Sequence, residues 1–81
     1  MWTEENNKLK ASYSFSDFRS AMAFMMESAF YIEDMNHHPE WRNVYNKVEI
    51  ELTTHDAGNI VTDKDRKLSE ILDRLYKKYV T

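Results

Sequence analysis

Apolar and polar side chains alternate along residues 8–14, with an apolar residue at every second position. A period of two is typical of a β-strand that buries one face. We therefore predict a strand at residues 8–14 and a shorter one at residues 1–4, joined by a turn at Asn6-Asn7.

The next segment repeats apolar residues every three or four positions, which is the spacing of one helix face. We expect Ser16 to cap this helix and the helix to end near His37, because Pro39 disfavours helical geometry in the residue before it. Phe24 and Phe30 lie outside the main stripe, which predicts a helix covered both by its own sheet and by a partner subunit. The predicted stripe contains Phe18, Ala21, Met22, Met25, Met26, Ala29, Ile32 and Glu33.

Two further strands are predicted at residues 41–45 and 48–54, followed by a loop at 55–59. Thr62 then caps a final helix whose first turn carries carboxylates, which suit the helix dipole. The buried face of that helix is predicted to hold Leu68, Ile71, Leu72, Leu75 and Tyr79. The order β-β-α-β-β-α predicts an α+β fold, with two helices packed on one face of a four-stranded antiparallel sheet.

Composition narrows the class of protein. The 81 residues allow a single domain, 1–81, and the absence of cysteine excludes disulfides and thiolate metal sites and fits a cytoplasmic protein. Oligomerisation is then the remaining common means of stabilising so small a domain. No stretch approaches the roughly 20 apolar residues of a membrane span, and the first residues lack a basic segment followed by an apolar one, so we expect no secretory signal. Net charge is −3 with acids and bases interspersed, which argues against nucleic-acid binding.

All three histidines, His37, His38 and His55, lie at predicted element boundaries, where a rigid scaffold can present them to a ligand. Histidine is also the side chain best suited to proton transfer near neutral pH. Glu33 precedes His37 by four residues, so the two share a helix face if the helix persists that far, and the carboxylate could fix the imidazole tautomer. Ordinary surface roles remain open for each histidine.

Three alternatives stay open at this point. Asp65 stands at the third helical position and could simply be the acidic half of a capping box. Trp41 could be core, or it could offer a flat apolar wall to a planar ligand. Three histidines and a Glu could bind zinc, but the adjacent pair His37-His38 has no zinc-motif spacing and no His-Glu-x-x-His occurs, so we predict no metal.

Together these residues resemble a known family. The run Glu33-x3-His37-His38-Pro39-x5-Tyr45-x9-His55-x9-Asp65 is similar to the signature of the pterin-4a-carbinolamine dehydratases. That family is also described as a dimerisation cofactor of a homeodomain transcription factor. The segment 58–62 looks one residue longer than in many relatives.

The resemblance implies a carbon–oxygen lyase, a 4a-hydroxytetrahydrobiopterin dehydratase acting in tetrahydrobiopterin recycling. It would dehydrate 4a-hydroxy-tetrahydropterin to quinonoid dihydropterin by general acid–base catalysis, with no cofactor and no metal. The implied catalytic residues are His37, His38, His55, Glu33 and Asp65. Those implied to bind the pterin are Asn36, His37, His38, Trp41, Thr53, Thr54, His55 and Asp56.

The resemblance also implies assembly into a homodimer or homotetramer, with a small-molecule pterin as partner and neither nucleic acid nor membrane. The alternative function is an oligomeric binding module, resembling a transcriptional coactivator, that acts through its Met-rich helix. The intact set of histidines favours the enzyme.

Overall fold

A four-stranded antiparallel sheet in the order β1-β2-β4-β3 forms one layer of the computed structural model, which describes residues 2–80. Two helices pack on the face that carries the apolar strand residues, so the predicted α+β fold is confirmed. Within the described residues, neither helix is apolar and long enough to cross a membrane. The elements are β1 Thr3–Glu5, β2 Lys8–Ser14, α1 Phe18–Met35, β3 Glu40–Val44, β4 Lys47–Leu52 and α2 Asp63–Tyr76.

The predicted strand boundaries are correct to within one or two residues. β2 has its predicted bounds, and Asn6 and Asn7 form the turn before it with φ values of 53° and 62°. Two consecutive left-handed residues are typical of the tight hairpin turn that follows strand twist. β1 begins later than predicted, and of that prediction Met1 lies outside the described residues. β4 ends at Leu52, because the chain turns there toward the loop that carries His55.

The hairpin between β3 and β4 is held by side-chain amides. Asn43 Nδ2 donates to the carbonyls of Tyr45 at 3.0 Å and Lys47 at 2.9 Å. Asn46 Nδ2 donates to the carbonyl of Phe15 at 2.9 Å, which ties the hairpin to the segment before α1. The amide side chains of Asn43 and Asn46 therefore support the turn.

Both ends of α1 differ from the prediction. Asp17, not Ser16, is the N-cap, and its carboxylate accepts a hydrogen bond from the Ser20 N–H at 2.8 Å. The helix ends at Met35, because Asn36 adopts the left-handed conformation with φ of 50°. The His37 N–H then bonds back to the Ile32 carbonyl at 3.3 Å, as in a Schellman motif. His37 thus lies outside the helix.

The prediction that Phe24 lies outside the buried face of α1 was wrong. Phe24 is fully buried, in contact with the Tyr13 and Phe15 rings at centroid distances of 5.2 Å. Phe18 and Met26, which the predicted stripe included, are exposed instead. Apolar residues occur on more than one side of this helix, so their spacing is compatible with either of two buried faces. Packing selects the face with the buried residues Ala21, Phe24, Ser28 and Ile32.

The second helix follows its prediction closely. Thr62 is the N-cap, Leu68, Leu72 and Leu75 are buried, and Ile71 is half-buried against the core. Tyr79, predicted on the same face, is also half-buried against the core but lies beyond the end of α2, in the 3-10 turn Lys77–Tyr79. The helix is joined to the sheet by Asp73. Its Oδ1 accepts hydrogen bonds from Tyr13 Oη at 2.5 Å and Trp2 Nε1 at 2.9 Å. Burial, together with this carboxylate, raises the pKa of the Tyr13 hydroxyl, so the phenol stays protonated as the donor.

Ser28 is a buried residue whose hydroxyl has no hydrogen-bond partner within residues 2–80. We expect Ser28→Ala to leave the free energy of unfolding unchanged or to raise it by about 1 kcal/mol, since an unpaired buried hydroxyl is costly and Ala is the better helix former. Urea unfolding measures this. Ser69→Ala is the matched control, because the Ser69 hydroxyl donates to the Arg66 carbonyl at 2.7 Å. A larger loss at Ser28 than at Ser69 would contradict the prediction.

Candidate active site

Three segments that are distant in sequence meet at one buried carboxylate, Asp65. The Thr62 N–H donates to Asp65 Oδ2 at 2.9 Å, and the Thr54 hydroxyl donates to the same oxygen at 2.7 Å. His37 Nε2 lies 2.5 Å from Asp65 Oδ1. Asp65 is 0% exposed, and His37 is also buried. The end of α1, the end of β4 and the start of α2 are therefore joined at a single side chain.

Asp65 fills both of the roles that the sequence left open. It is the acidic half of the capping box of α2, and it is also the partner of His37. Burial acts to raise its pKa, but hydrogen bonds from Thr62, His37 and Thr54 outweigh that effect and hold the pKa of Asp65 below its usual range. Asp65 is therefore an ionised acceptor, and the proton in its contact with His37 belongs to Nε2.

The expected pairing of Glu33 with His37 was wrong. Glu33 Oε1 contacts His38 Nε2 at 3.0 Å, and both side chains are exposed. The cause is the left-handed Asn36, which ends the helix before His37 and removes it from the face that Glu33 occupies. His37 is directed inward to Asp65, and the next residue is directed outward to Glu33.

The third histidine starts a short 3-10 turn, His55–Ala57, directly after Thr54. Its ring is exposed, and its Nδ1 lies 2.7 Å from Asn59 Oδ1. Nothing in the sequence predicts this contact with Asn59. His55 and Asn59 are four positions apart, a spacing that brings side chains together on a helix. In a loop that contains Gly58, the same spacing does not predict a contact.

The remaining predicted residues differ in their exposure and in their contacts. Asn36 and Asp56 are exposed beside the histidines. Trp41 is half-buried against the core, opposite Ile50 in the neighbouring strand, so the core interpretation holds for part of its ring. Thr53 is directed elsewhere, since its hydroxyl donates to the Asn7 carbonyl at 3.0 Å.

The geometry around the histidines provides for proton transfer. Each imidazole has one ring nitrogen held by an oxygen acceptor: Asp65 for His37, Glu33 for His38 and Asn59 for His55. A fixed ring with one nitrogen still available is the arrangement that general acid–base catalysis requires. Across residues 2–80, no three His, Cys, Asp or Glu side chains are grouped so that they could hold a metal ion.

Comparison with known proteins gives concordant matches. The model of the family described as Pterin 4 alpha carbinolamine dehydratase matches residues 1–75. The chain is 55% identical to a protein of Solibacter usitatus and 47% identical to one of Opitutus terrae, each over 74 residues. Both are provisionally named pterin-4-alpha-carbinolamine dehydratase. The alignments cover 91% of this chain and 77% and 76% of the two relatives.

Two solved structures share the fold. A transcriptional coactivator/pterin dehydratase from Brucella melitensis superposes with a TM-score of 0.88 at 36% identity, over 93% of this chain and 81% of that one. A pterin dehydratase-like protein, described as a RuBisCO assembly factor in the alpha-carboxysome, superposes with a TM-score of 0.76 over 94% of this chain and 87% of its own. Its 19% identity shows the common fold alone.

Proposed function

The chain belongs to the pterin-4a-carbinolamine dehydratase family, as its motif predicts, and we propose that it dehydrates a 4a-hydroxy-tetrahydropterin to a quinonoid dihydropterin. This makes it a carbon–oxygen lyase, with tetrahydrobiopterin recycling as its setting. The observation that carries the proposal is the buried Asp65, which joins the segments that carry all three family histidines. We place the reaction in the cytoplasm, a compartment that a chain without cysteine fits.

The reaction needs two proton transfers and no change of oxidation state. The C4a–O bond breaks as the hydroxyl takes up a proton and departs as water. The N5 lone pair forms the C4a=N5 double bond, and the N5 proton is then lost to a base. An acid and a base placed on either side of the pterin are sufficient, and positioned imidazoles supply typically about 10²–10⁴-fold.

We assign the two proton transfers to His38 and His55, because both rings are exposed and can reach a ligand. His37 is buried against Asp65 and assists by binding the 4a-hydroxyl. This assignment makes Asp65 the residue that orients His37. Glu33 orients His38, which contacts it at 3.0 Å.

Pterin binding is proposed for the residues around the histidines. Asn36 and Asp56 are exposed and provide polar contacts, and the accessible part of Trp41 provides an apolar wall for the planar ring. Thr54 acts by holding the His55 loop, since its hydroxyl is used by Asp65. Thr53 is the weakest member of the set, because its hydroxyl already bonds to Asn7.

A dehydration assay on synthetic 4a-hydroxy-tetrahydropterin tests the proposal. Formation of the quinonoid product is followed by its absorbance, against the spontaneous reaction and with a chelator present throughout. We expect acceleration that the chelator does not reduce, because proton transfer needs neither metal nor cofactor. A rate equal to the spontaneous one would overturn the proposed function. Activity lost on chelation and restored by zinc would overturn the metal-free mechanism.

The alternative, a binding module without catalysis, has less support. A module that had lost its enzymatic role would not need three histidines, each with its own oxygen acceptor. The dehydratase therefore remains the function that the site supports best.

We also propose that the chain assembles at least as a homodimer through the outer face of α1. Phe18, Met26 and Phe30 are 46%, 65% and 68% exposed, and they lie at spacings of four and eight residues along one side of the helix. Burying one such side chain contributes about 1.5–3 kcal/mol. Phe24, which the sequence had suggested for this surface, belongs to the core.

Sedimentation equilibrium at micromolar concentration measures the assembly. We expect a dimer or tetramer for the parent chain and a monomer for Phe30→Glu, since a carboxylate in an apolar interface is costly. Val44→Glu is the control, because Val44 is 54% exposed on β3, away from α1. A monomeric parent would contradict the proposal. So would a result in which Val44→Glu dissociates the assembly and Phe30→Glu does not.

A further inference from the structure

We propose that Asn59 is a positioning residue that holds His55 in the tautomer with its proton on Nδ1, so that Nε2 is the atom presented to the ligand. This inference rests on the proposed function and deepens it. Asn59 Oδ1 lies 2.7 Å from His55 Nδ1. An amide oxygen has no proton to give, so the proton in this contact belongs to the imidazole. In the neutral ring, Nε2 then carries the lone pair.

The loop places Asn59 for this contact. Asn59 has a φ of 61° and follows Gly58, whose φ is 89°. Two successive left-handed residues turn the chain back over the 3-10 turn that begins at His55. The Asn59 N–H donates to the Thr54 carbonyl at 3.0 Å, and the Thr54 N–H donates to the Ile60 carbonyl at 2.9 Å. The backbone on both sides of Asn59 is therefore fixed.

The loop is in turn anchored to the buried part of the site. Thr54, whose backbone bonds to both Asn59 and Ile60, donates its hydroxyl to Asp65 at 2.7 Å. Asp65 also contacts His37. A continuous set of hydrogen bonds thus runs from His37 through Asp65 and Thr54 to Asn59, and it orients His55 relative to the rest of the site.

The chemical type of the acceptor distinguishes His55 from the other two histidines. His37 and His38 contact carboxylates, which could take up a proton, whereas His55 contacts a neutral amide, which cannot. An amide therefore fixes the ring and its tautomer without becoming a second proton acceptor. Any proton that His55 exchanges with a pterin passes through Nε2.

Nitrogen-15 NMR of the histidine side chains tests the tautomer directly, without substrate. When the His55 ring of the parent protein is neutral, we expect its Nδ1 to show the chemical shift of a protonated ring nitrogen and its Nε2 that of an unprotonated one. Asn59→Gly tolerates the left-handed backbone but has no acceptor, and we expect it to lose the Nδ1–H preference. In the dehydration assay its kcat should fall about tenfold with little change in KM, as expected when one orienting hydrogen bond is lost.

Two further variants complete the experiment. Asn59→Asp keeps an acceptor oxygen, so it should retain the Nδ1–H tautomer that Asn59→Gly loses. Asn6→Gly makes the same change at another left-handed asparagine, in the β1–β2 turn, and should alter neither the tautomer nor kcat. A parent His55 protonated on Nε2, or an Asn59→Gly variant with unchanged tautomer and kcat, would overturn the inference. The expected tautomers in a parent without dehydratase activity would support the Asn59 assignment and overturn the proposed function instead.

Discussion

Replacing both His38 and His55 with alanine will lower the dehydration rate by roughly 10²–10⁴-fold, because positioned imidazoles contribute about that much to proton transfer. Under the proposed mechanism these two rings exchange the protons at the 4a-oxygen and at N5. Both side chains are exposed, so their removal opens no cavity in the core. The free energy of unfolding should therefore change by only about 0.5 kcal/mol for each surface substitution. The dehydration rate, measured against the spontaneous reaction, checks the predicted loss of activity. Urea unfolding of the same samples checks the predicted stability.

A matched double variant separates loss of chemistry from a general effect of two surface truncations. Lys64→Ala with Lys67→Ala changes two exposed residues of α2, and we expect it to retain the parental rate. Single histidine variants then apportion the effect between His38 and His55. Undiminished turnover in the double histidine variant would rule out both as the proton-transferring groups.

Replacing Asp65 with alanine should produce the largest loss of stability at the site. A buried donor left without its acceptor costs about 1–3 kcal/mol. Asp65 serves three donors, from Thr62, Thr54 and His37. We therefore expect a loss of at least about 3 kcal/mol, a large part of the 5–15 kcal/mol that is typical of a whole domain. Urea unfolding near neutral pH measures the loss.

Asp63→Ala is the matched control, since Asp63 is an exposed carboxylate in the same first turn of α2. Its interaction with the helix dipole is worth only about 0.3–1 kcal/mol. Equal losses in the two variants would mean that Asp65 acts only through the dipole, and its proposed role in orienting His37 would fail.

The pH dependence of stability provides a second test of Asp65. Burial acts to raise the pKa of this carboxyl, but the hydrogen bonds outweigh it and the pKa in the folded protein is lowered. A lowered pKa contributes stability that is present above the unfolded value, about 3.9, and is lost as the pH falls through the folded value. The difference in unfolding free energy between the parent and Asp65→Asn should therefore shrink below about pH 4. A difference independent of pH would contradict the assignment of Asp65 as ionised.

Much of the fold could be predicted from local pattern. The alternation in β2 identified the strand, and the Asn6-Asn7 pair identified its turn, because both properties depend on neighbouring residues alone. Thr62 as a helix cap was also correct. Ser16 was not, because Ser16 and Asp17 are adjacent and both suit a cap, and the entry of the chain into the helix decides between them.

The resemblance of the motif to a known family, which the family model later confirmed, also identified the histidines and Asp65 as candidate site residues. Their pairing could not be predicted in the same way. The left-handed turn at Asn36 takes His37 off the helix, so the expected partner, Glu33, meets His38 instead. Because α1 ends two residues earlier than predicted, Glu33 contacts His38 and not His37.

What the sequence by itself determined is the set of elements, their order and the kinds of chemistry available, since these follow from periodicity, capping residues and side-chain type. Only the tertiary structure decided which side of α1 is buried, because Phe24 and Phe30 are equally apolar and differ only in what packs against them. Only the tertiary structure placed Thr54 and His37 on the same carboxylate. In the sequence, Thr54 lies 11 positions and His37 lies 28 positions before Asp65. The contacts form because the helices must cover the apolar face of the sheet.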